Sequence, residues 1–292
     1  MQSVQSRNRN WNRSSGKNDK ANELRSRIDT SLDTLAKSVD EVRASETFKA
    51  YLDVQARFHK YSWHNSMLIA VQRPDASRVA GYKTWQSLGR QVCKGERGIA
   101  IFAPCPWKRE KETETGETET EQGIYFRVVH VFDVGQTDGP DLPTVDVPTI
   151  DLAADNLLAD LIRVAESRGI AVDFRPISDG PFGASKHGSI DVDNSHATGQ
   201  QAKTLAHELA HEALHWEDRG PFTRSIAELE AESVAYVVCT HFGLDVEVRA
   251  SRYIALWDGD SKALRASLER IANTARGIID DVDAVNTQKA VA

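Results

Sequence analysis

TLAHELAHEALHW, residues 204–216, decides how the second half of this chain is read. Leu205, Leu209 and Ala213 recur every four residues, with Ala202, Ala206 and Ala210 on a neighbouring row. Residues three and four apart share a helix face, so the stretch predicts an amphipathic helix with a small-residue side. His207 and His211 stand one turn apart on it and can reach one ion. Glu208 points nearby without having to ligate, and can take a proton from a water that the metal activates. That is the physical content of His-Glu-x-x-His on a helix. The bland alternative is a core helix with two satisfied histidines. His215 continues the series, yet it lies about 12 Å along the axis from His207 at the helical rise. Three side chains so spaced on one straight helix cannot converge, so His215 belongs behind the ligands or on the surface.

A third ligand is needed, and the next helix offers Glu228, Glu230 and Glu232 within ELEAESVAYVVC, residues 228–239. Periodicity alone does not choose among them. Upstream, DLAADNLLADLIRVAESRG (151–169) predicts a helix with Asp151 as cap and Gly169 as stop. IAVDFRPI (170–177) and GSIDVDN (188–194) read as strands, and a last helix follows from about Ser261. Residues 151–285 are expected to form one domain and 286–292 a disordered tail.

The first half differs in charge. Residues 1–109 carry 20 Lys/Arg against 10 Asp/Glu, whereas residues 110–292 carry 16 against 33. A basic half attracts phosphate and an acidic one does not. Residues 1–20 read as a disordered basic arm. Leu24, Ile28, Leu32, Leu35 and Val39 mark a helix from near Ala21, and two more are expected over Glu46 to His59 and Trp63 to Gln72. GYKTWQSLGRQV (81–92) reads as a turn and a short helix, KGERG (94–98) as a turn, and GIAIFAP (98–104) as a strand whose partner is IYFRVVHVFDV (124–134). Between the strands, residues 108–122 are acidic and low in complexity, and are expected to form a mobile hairpin tip. Residues 21–138 make the first domain, and the proline-bearing stretch 139–150 a linker.

Single strands are bound by aromatic platforms for bases and a cationic groove for phosphates. Tyr61, Trp63, Tyr82 and Trp85 supply platforms in this half, interleaved with Arg73, Arg78, Lys83, Arg90, Lys94 and Arg97. Gly95 and Gly98 would leave backbone N–H groups open to a phosphate. Core packing of the two tryptophans is the competing reading. No stretch approaches a membrane span, no apolar segment follows the basic N-terminus, and the three cysteines form no CxxC pair. These features point to reduced thiols, a cytoplasmic setting and no membrane partner.

Two resemblances join these readings. HELAH with the downstream E-x-E-A resembles the ImmA/IrrE-like zincin metallopeptidases and the peptidase-like half of the ArdC antirestriction proteins. The resemblance implies Glu230 as third ligand. Glu232 is its rival, because the family often has asparagine there. For the oxyanion, Tyr253 and Tyr236 are candidates. Residues 61–104 resemble the single-stranded-DNA-binding domain of ArdC-type proteins, through Asn65, the Gly81-Tyr82-x-x-Trp85 turn and the Lys94–Gly98 turn, resuming at VFDVGQT (131–137). The implied molecule is an α+β protein of two domains, a mixed helix and hairpin ssDNA-binding domain and a zincin-like metallopeptidase domain. Its cofactor would be Zn2+, with other divalent metals also suited to the donors. Its partners would be single-stranded DNA and a protein substrate. Two alternatives stand beside an antirestriction peptidase: a non-proteolytic DNA-binding protein with a structural metal, and a regulatory peptidase that cleaves a repressor.

Overall fold

The computed structural model describes residues 8–37, 41–112, 118–142, 150–177, 181–215, 224–247 and 260–291. It is an α+β molecule of two compact units, one of Met1–Ser31 with Met67–Asp141 and one of Leu32–Ser66 with Leu142–Ala292. The division differs from the expected 21–138 and 151–285 chiefly at residues 32–66. Residues 32–66 group with the second unit, because α2 (Glu41–Arg57) lays Phe48 and Leu52 into a core that includes α7 (Arg224–His241).

In the first unit, α1 (Asn8–Ala36) begins inside the stretch expected to be a disordered arm, and residues 1–7 lie outside the described ones. Leu24 and Ile28 are its buried stripe here, as their spacing predicts. The α3 helix (Trp63–Gln72) ends before Pro74, and Gln72 ties it to the sheet by donating to the Ala100 carbonyl and accepting from the Ala100 N–H. The sheet has three antiparallel strands in the order β1 (Val79–Gly81), β4 (Thr118–Asp133), β3 (Ile99–Glu112). The expected strand pair is thus a long hairpin, in register from Ile99↔Val131 to Glu112↔Thr118. Residues 113–117 of the acidic tip lie outside the described ones. The short α4 (Tyr82–Ser87) follows β1, and β2 (Gln91–Val92) pairs with β5 (Thr137–Asp138).

VFDVGQT folds as a clasp. Asp133 accepts backbone N–H bonds from Ser77, Arg78 and Gly135, while the Gln136 side chain accepts from the Asp133 N–H and donates to Glu96 and to the Arg97 carbonyl. The backbone bonds, reinforced by Arg73, outweigh burial and hold the Asp133 carboxyl below its ordinary pKa. Gly98 is explained by packing, since a Cβ there would lie 2.8 Å from the His130 Cβ and 3.0 Å from the Phe132 ring.

The second unit stacks helices on a small mixed sheet of order β6 (Ala171–Arg175), β8 (Ser189–Asp193), β7 (Gly183–Ser185). The two expected strands, β6 and β8, pair parallel, which the intervening chain allows only by a crossover, and β7 adds an antiparallel edge. The helices are α5 (Ile150–Ser167), α6 (Thr198–Leu214), α7 and α8 (Ser261–Val291). Most of the stretch expected to be a disordered tail therefore continues α8. Ala202, Ala206 and Ala210 of α6 and Ala231 and Ala235 of α7 are fully buried, so the two helices approach closely. Tyr236 of α7 donates to Asp53 of α2, His241 meets the Ala56 carbonyl at 2.8 Å, and Arg276 of α8 donates to the His59 carbonyl at 2.7 Å.

Candidate metal centre and nucleic-acid interface

The α6 helix carries His207 and His211 with their Nε2 atoms 3.0 Å apart. Glu228 of α7 faces both, its Oε2 lying 3.5 Å from His207 Nε2 and 3.8 Å from His211 Nε2. These three residues offer ligand atoms that all lie within 4.8 Å of one another, a group that could hold a metal ion. Two imidazoles and a carboxylate suit such an ion chemically.

Glu230, expected as the third ligand, stands elsewhere. It is fully buried, accepts from Arg270 Nε at 3.0 and 3.2 Å and from Ser267, and meets His215 Nε2 at 3.2 Å. Two residues on a helix project about 200° apart. Glu230 therefore cannot share the face of Glu228 and Glu232, which are one turn apart. Arg270, His215 and Ser267 outweigh its burial and hold its carboxyl below the ordinary range.

Both histidines are oriented from behind. Glu232 places Oε2 3.6 Å from His207 Nδ1, and its Oε1 accepts from Lys203 Nζ at 2.6 Å. Behind His211, the Nδ1 atoms of His211 and His215 are 3.0 Å apart, and His215 Nε2 reaches Glu230. The hydrogen positions follow from that chain. If His211 ligates through Nε2, its Nδ1–H donates to His215 Nδ1, and His215 Nε2–H donates to Glu230. Such partners fix tautomer and ring direction and raise ligand basicity. Burial opposes protonation of His207, but Glu228 and Glu232 prevail and hold its pKa up at about 9. Burial and the charge of His207 push His211 down to about 4.

Glu208 is buried beside the pair, and its burial raises its carboxyl pKa, opposed by His207 and by a backbone bond from Ser185. It opens on a cleft of about 330 Å³ lined by Phe182, Gly183, Lys203, His207, Glu228 and Glu232 among others. Strand β7 forms one wall. Gly183 is needed there, because a Cβ would meet Thr204 Cγ2 at 2.5 Å and Glu208 Cγ at 3.1 Å. The turn after β7 is held to α6 by Glu212, which accepts from Ser185 Oγ and from the N–H groups of His187 and Gly188. Of the oxyanion candidates, Tyr236 is bound to Asp53, and Tyr253 lies outside the described residues.

The expected DNA contacts divide. Tyr61 and Trp63 fall in the second unit, where Trp63 is 3% exposed and packs beneath Arg265. Trp85 is 2% exposed and donates Nε1–H to the Phe132 carbonyl. Neither tryptophan is a base platform. Arg90 is a clamp, donating to Thr137 Oγ1, the Thr137 carbonyl and the Gly139 carbonyl. Tyr82, Lys83, Lys94 and Arg97 are exposed. Arg97 lines a cleft of about 950 Å³ in the first unit, together with Lys20, Arg27, Arg73, Gly95 and Gly98. Lys20 and Arg27 reach this cleft from α1, where helical spacing marks only the buried stripe and gives no sign of what the exposed face meets.

Among the described residues no helix is long and apolar enough to cross a membrane. Residues 18–132 match the family model for the N-terminal domain of anti-restriction factor ArdC. An uncharacterized protein of Bacillus anthracis, pXO2-81, is 24% identical over 78% of this chain, which spans 46% of that relative's length. Another, y4eC of Sinorhizobium fredii strain NBRC 101917 / NGR234, is 26% identical over 68% of this chain and 68% of its own length. The chain also matches the metal-free crystal structure of the antirestriction ArdC protein from plasmid R388, 23% identical, covering 76% of this chain and 84% of that one with a TM-score of 0.50. That likeness shows a shared fold.

Proposed function

We propose that this chain, an ArdC-like protein by its N-terminal domain, is a single-stranded-DNA-binding antirestriction protein whose second unit is a metal-dependent peptidase. The observation that carries the peptidase is the convergence of His207, His211 and Glu228 beside the buried Glu208. His207 and His211 would hold the metal, zinc or another divalent ion, with Glu228 in place of the expected Glu230. A divalent ion bound there supplies Lewis-acid activation of water and of a carbonyl.

The chain's own residues do the rest. Glu232 and His215 keep the two imidazoles turned toward the ion. Glu208, with its pKa raised by burial, accepts the proton of the attacking water and passes it to the leaving amine. Pro181, Phe182 and Gly183 bound the cleft that an extended segment of a protein substrate would enter. The cations of the first-unit cleft would hold the phosphates of a strand entering the cytoplasm.

The test is a pair of variants. A His207→Ala/His211→Ala protein should lose the metal measured by mass spectrometry, and Glu208→Gln should keep it. Metal content equal to wild type in the double variant would sink the metal site. Glu208→Gln should also abolish cleavage of proteins bound to the incoming strand and weaken protection of that DNA from restriction. Protection undiminished in that variant would turn the reading to a non-proteolytic protein with a structural metal.

A further inference from the structure

The β3–β4 hairpin outruns the sheet it belongs to. Strand β1 pairs only with Val131–Asp133, so the outer part is a ribbon of two strands. Four large apolar side chains stand exposed on it, Trp107, Ile124, Tyr125 and Phe126. Scattered exposed apolar residues are ordinary, but neighbours on one face of a ribbon mark a contact surface, and Trp107, which packs over Gly123, shares its face with Tyr125 and not with Ile124 and Phe126.

Alternation along β4 sorts them. Successive side chains of a strand point to opposite faces. Ile124, Phe126, Val128 and His130 share one face, and Tyr125, Arg127, Val129 and Val131 the other. Val128 and His130 line the 950 Å³ cleft, whereas Val131 is buried on the opposite face. Phe126, 56% exposed, and Ile124, 64% exposed, therefore prolong the wall of the cleft outward. Tyr125, 55% exposed, lies between them and faces away. Charge changes along the same line. The cleft holds the cations Lys20, Arg27, Arg73 and Arg97 against the carboxylates Glu23 and Glu96. The far end of the hairpin, residues 108–122, is rich in glutamate.

We propose that the Phe126 face of the ribbon is the base-stacking platform of the single-strand site, continuous with the cationic cleft. Phosphates lie at the base of the hairpin and bases stack on Phe126 and pack on Ile124. This rests on the single-strand reading above. It replaces Trp63 and Trp85 as platforms with a residue that a base can reach. An exposed aromatic stacks on any base, so the contact is indifferent to sequence.

The experiment is fluorescence anisotropy of a labelled oligothymidylate with the full chain at two salt concentrations. Phe126→Ala should weaken binding at least about fivefold, the lower end of one lost base–aromatic stack. Its salt slope should equal wild type, because no phosphate contact is removed. Phe126→Tyr should restore affinity, and Tyr125→Ala, equally exposed on the other face, should bind as wild type does. Arg97→Ala should flatten the slope. Wild-type affinity in Phe126→Ala, or a loss in Tyr125→Ala instead, would overturn the platform while leaving the single-strand reading intact. No salt-dependent binding by the wild-type chain would overturn that reading, and the platform with it.

Discussion

The His215 ring presents one nitrogen to His211 and the other to the buried Glu230 carboxylate. Partners of this kind govern metal affinity without touching the metal, and their loss typically costs 10- to 100-fold. His215→Ala should weaken metal binding by about that factor, measured by competition with a chelator. His215→Gln should recover part of it, since its amide can accept from His211 and donate to Glu230. Equal affinity in all three proteins would reduce His215 to packing. A second pair separates the two glutamates. Glu228→Gln should lose metal with its urea midpoint near wild type, because Glu228 is 42% exposed. Glu230→Gln should lower stability by about 3 kcal/mol in urea, because it leaves the Arg270 charge without its buried partner. The reverse pattern would return Glu230 to the metal. The sequence made His207, Glu208 and His211 legible through spacing on one helix. It left Glu228, Glu230 and Glu232 open because their roles depend on which face of α7 meets α6. That is settled by tertiary packing, with Arg270 some forty residues away supplying the deciding charge.

At the scale of elements, the strands at 98–104 and 124–134 were legible from β-branched runs, and α3 from its proline stop. Within the GYKTW, KGERG and VFDVGQT segments, the structure separates packing residues from exposed ones: Tyr82, Lys83, Lys94 and Arg97 are exposed, whereas Trp85 is buried. Trp85, Gly98, Asp133 and Gln136 fasten β1, α4 and the hairpin base to one another. A fixed packing residue and a ligand platform look alike in one sequence, because both demand an aromatic or a glycine at one place. Asp133→Asn tests the clasp. Its carboxylate makes three backbone bonds, and replacing it should cost about 2 kcal/mol at neutral pH. The folded pKa is depressed, so the stabilisation is complete above the unfolded value and vanishes as pH falls through the folded one. The gap between wild type and Asp133→Asn in urea melts should therefore close below about pH 4. A gap that persists in acid would mean that shape, and not charge, holds the clasp.

On the scale of the whole molecule, the proline-bearing stretch 139–150 is a boundary that composition can show. The membership of residues 32–66 is not. Asp53 and Tyr236 are 183 positions apart, and a contact of that separation leaves no local period or cap for a reader of the sequence. The consequence is physical: a cut at the apparent linker does not release the second unit intact. A fragment of residues 143–292 keeps His207, His211 and Glu228 but loses α2, whose Phe48, Tyr51 and Leu52 are almost wholly buried. Burying each such side chain contributes about 1.5 to 3 kcal/mol. Their sum rivals the entire stability of an ordinary domain, about 5 to 15 kcal/mol. Fragment 143–292 should thus melt without cooperativity in calorimetry and bind metal weakly, and a peptide of residues 32–66 added in trans should restore a sharp transition. Cooperative melting of the fragment alone, at the temperature of the full chain, would show that α2 only decorates the second unit; loss and recovery would show that residues 32–66 are built into the core that holds α6 and α7.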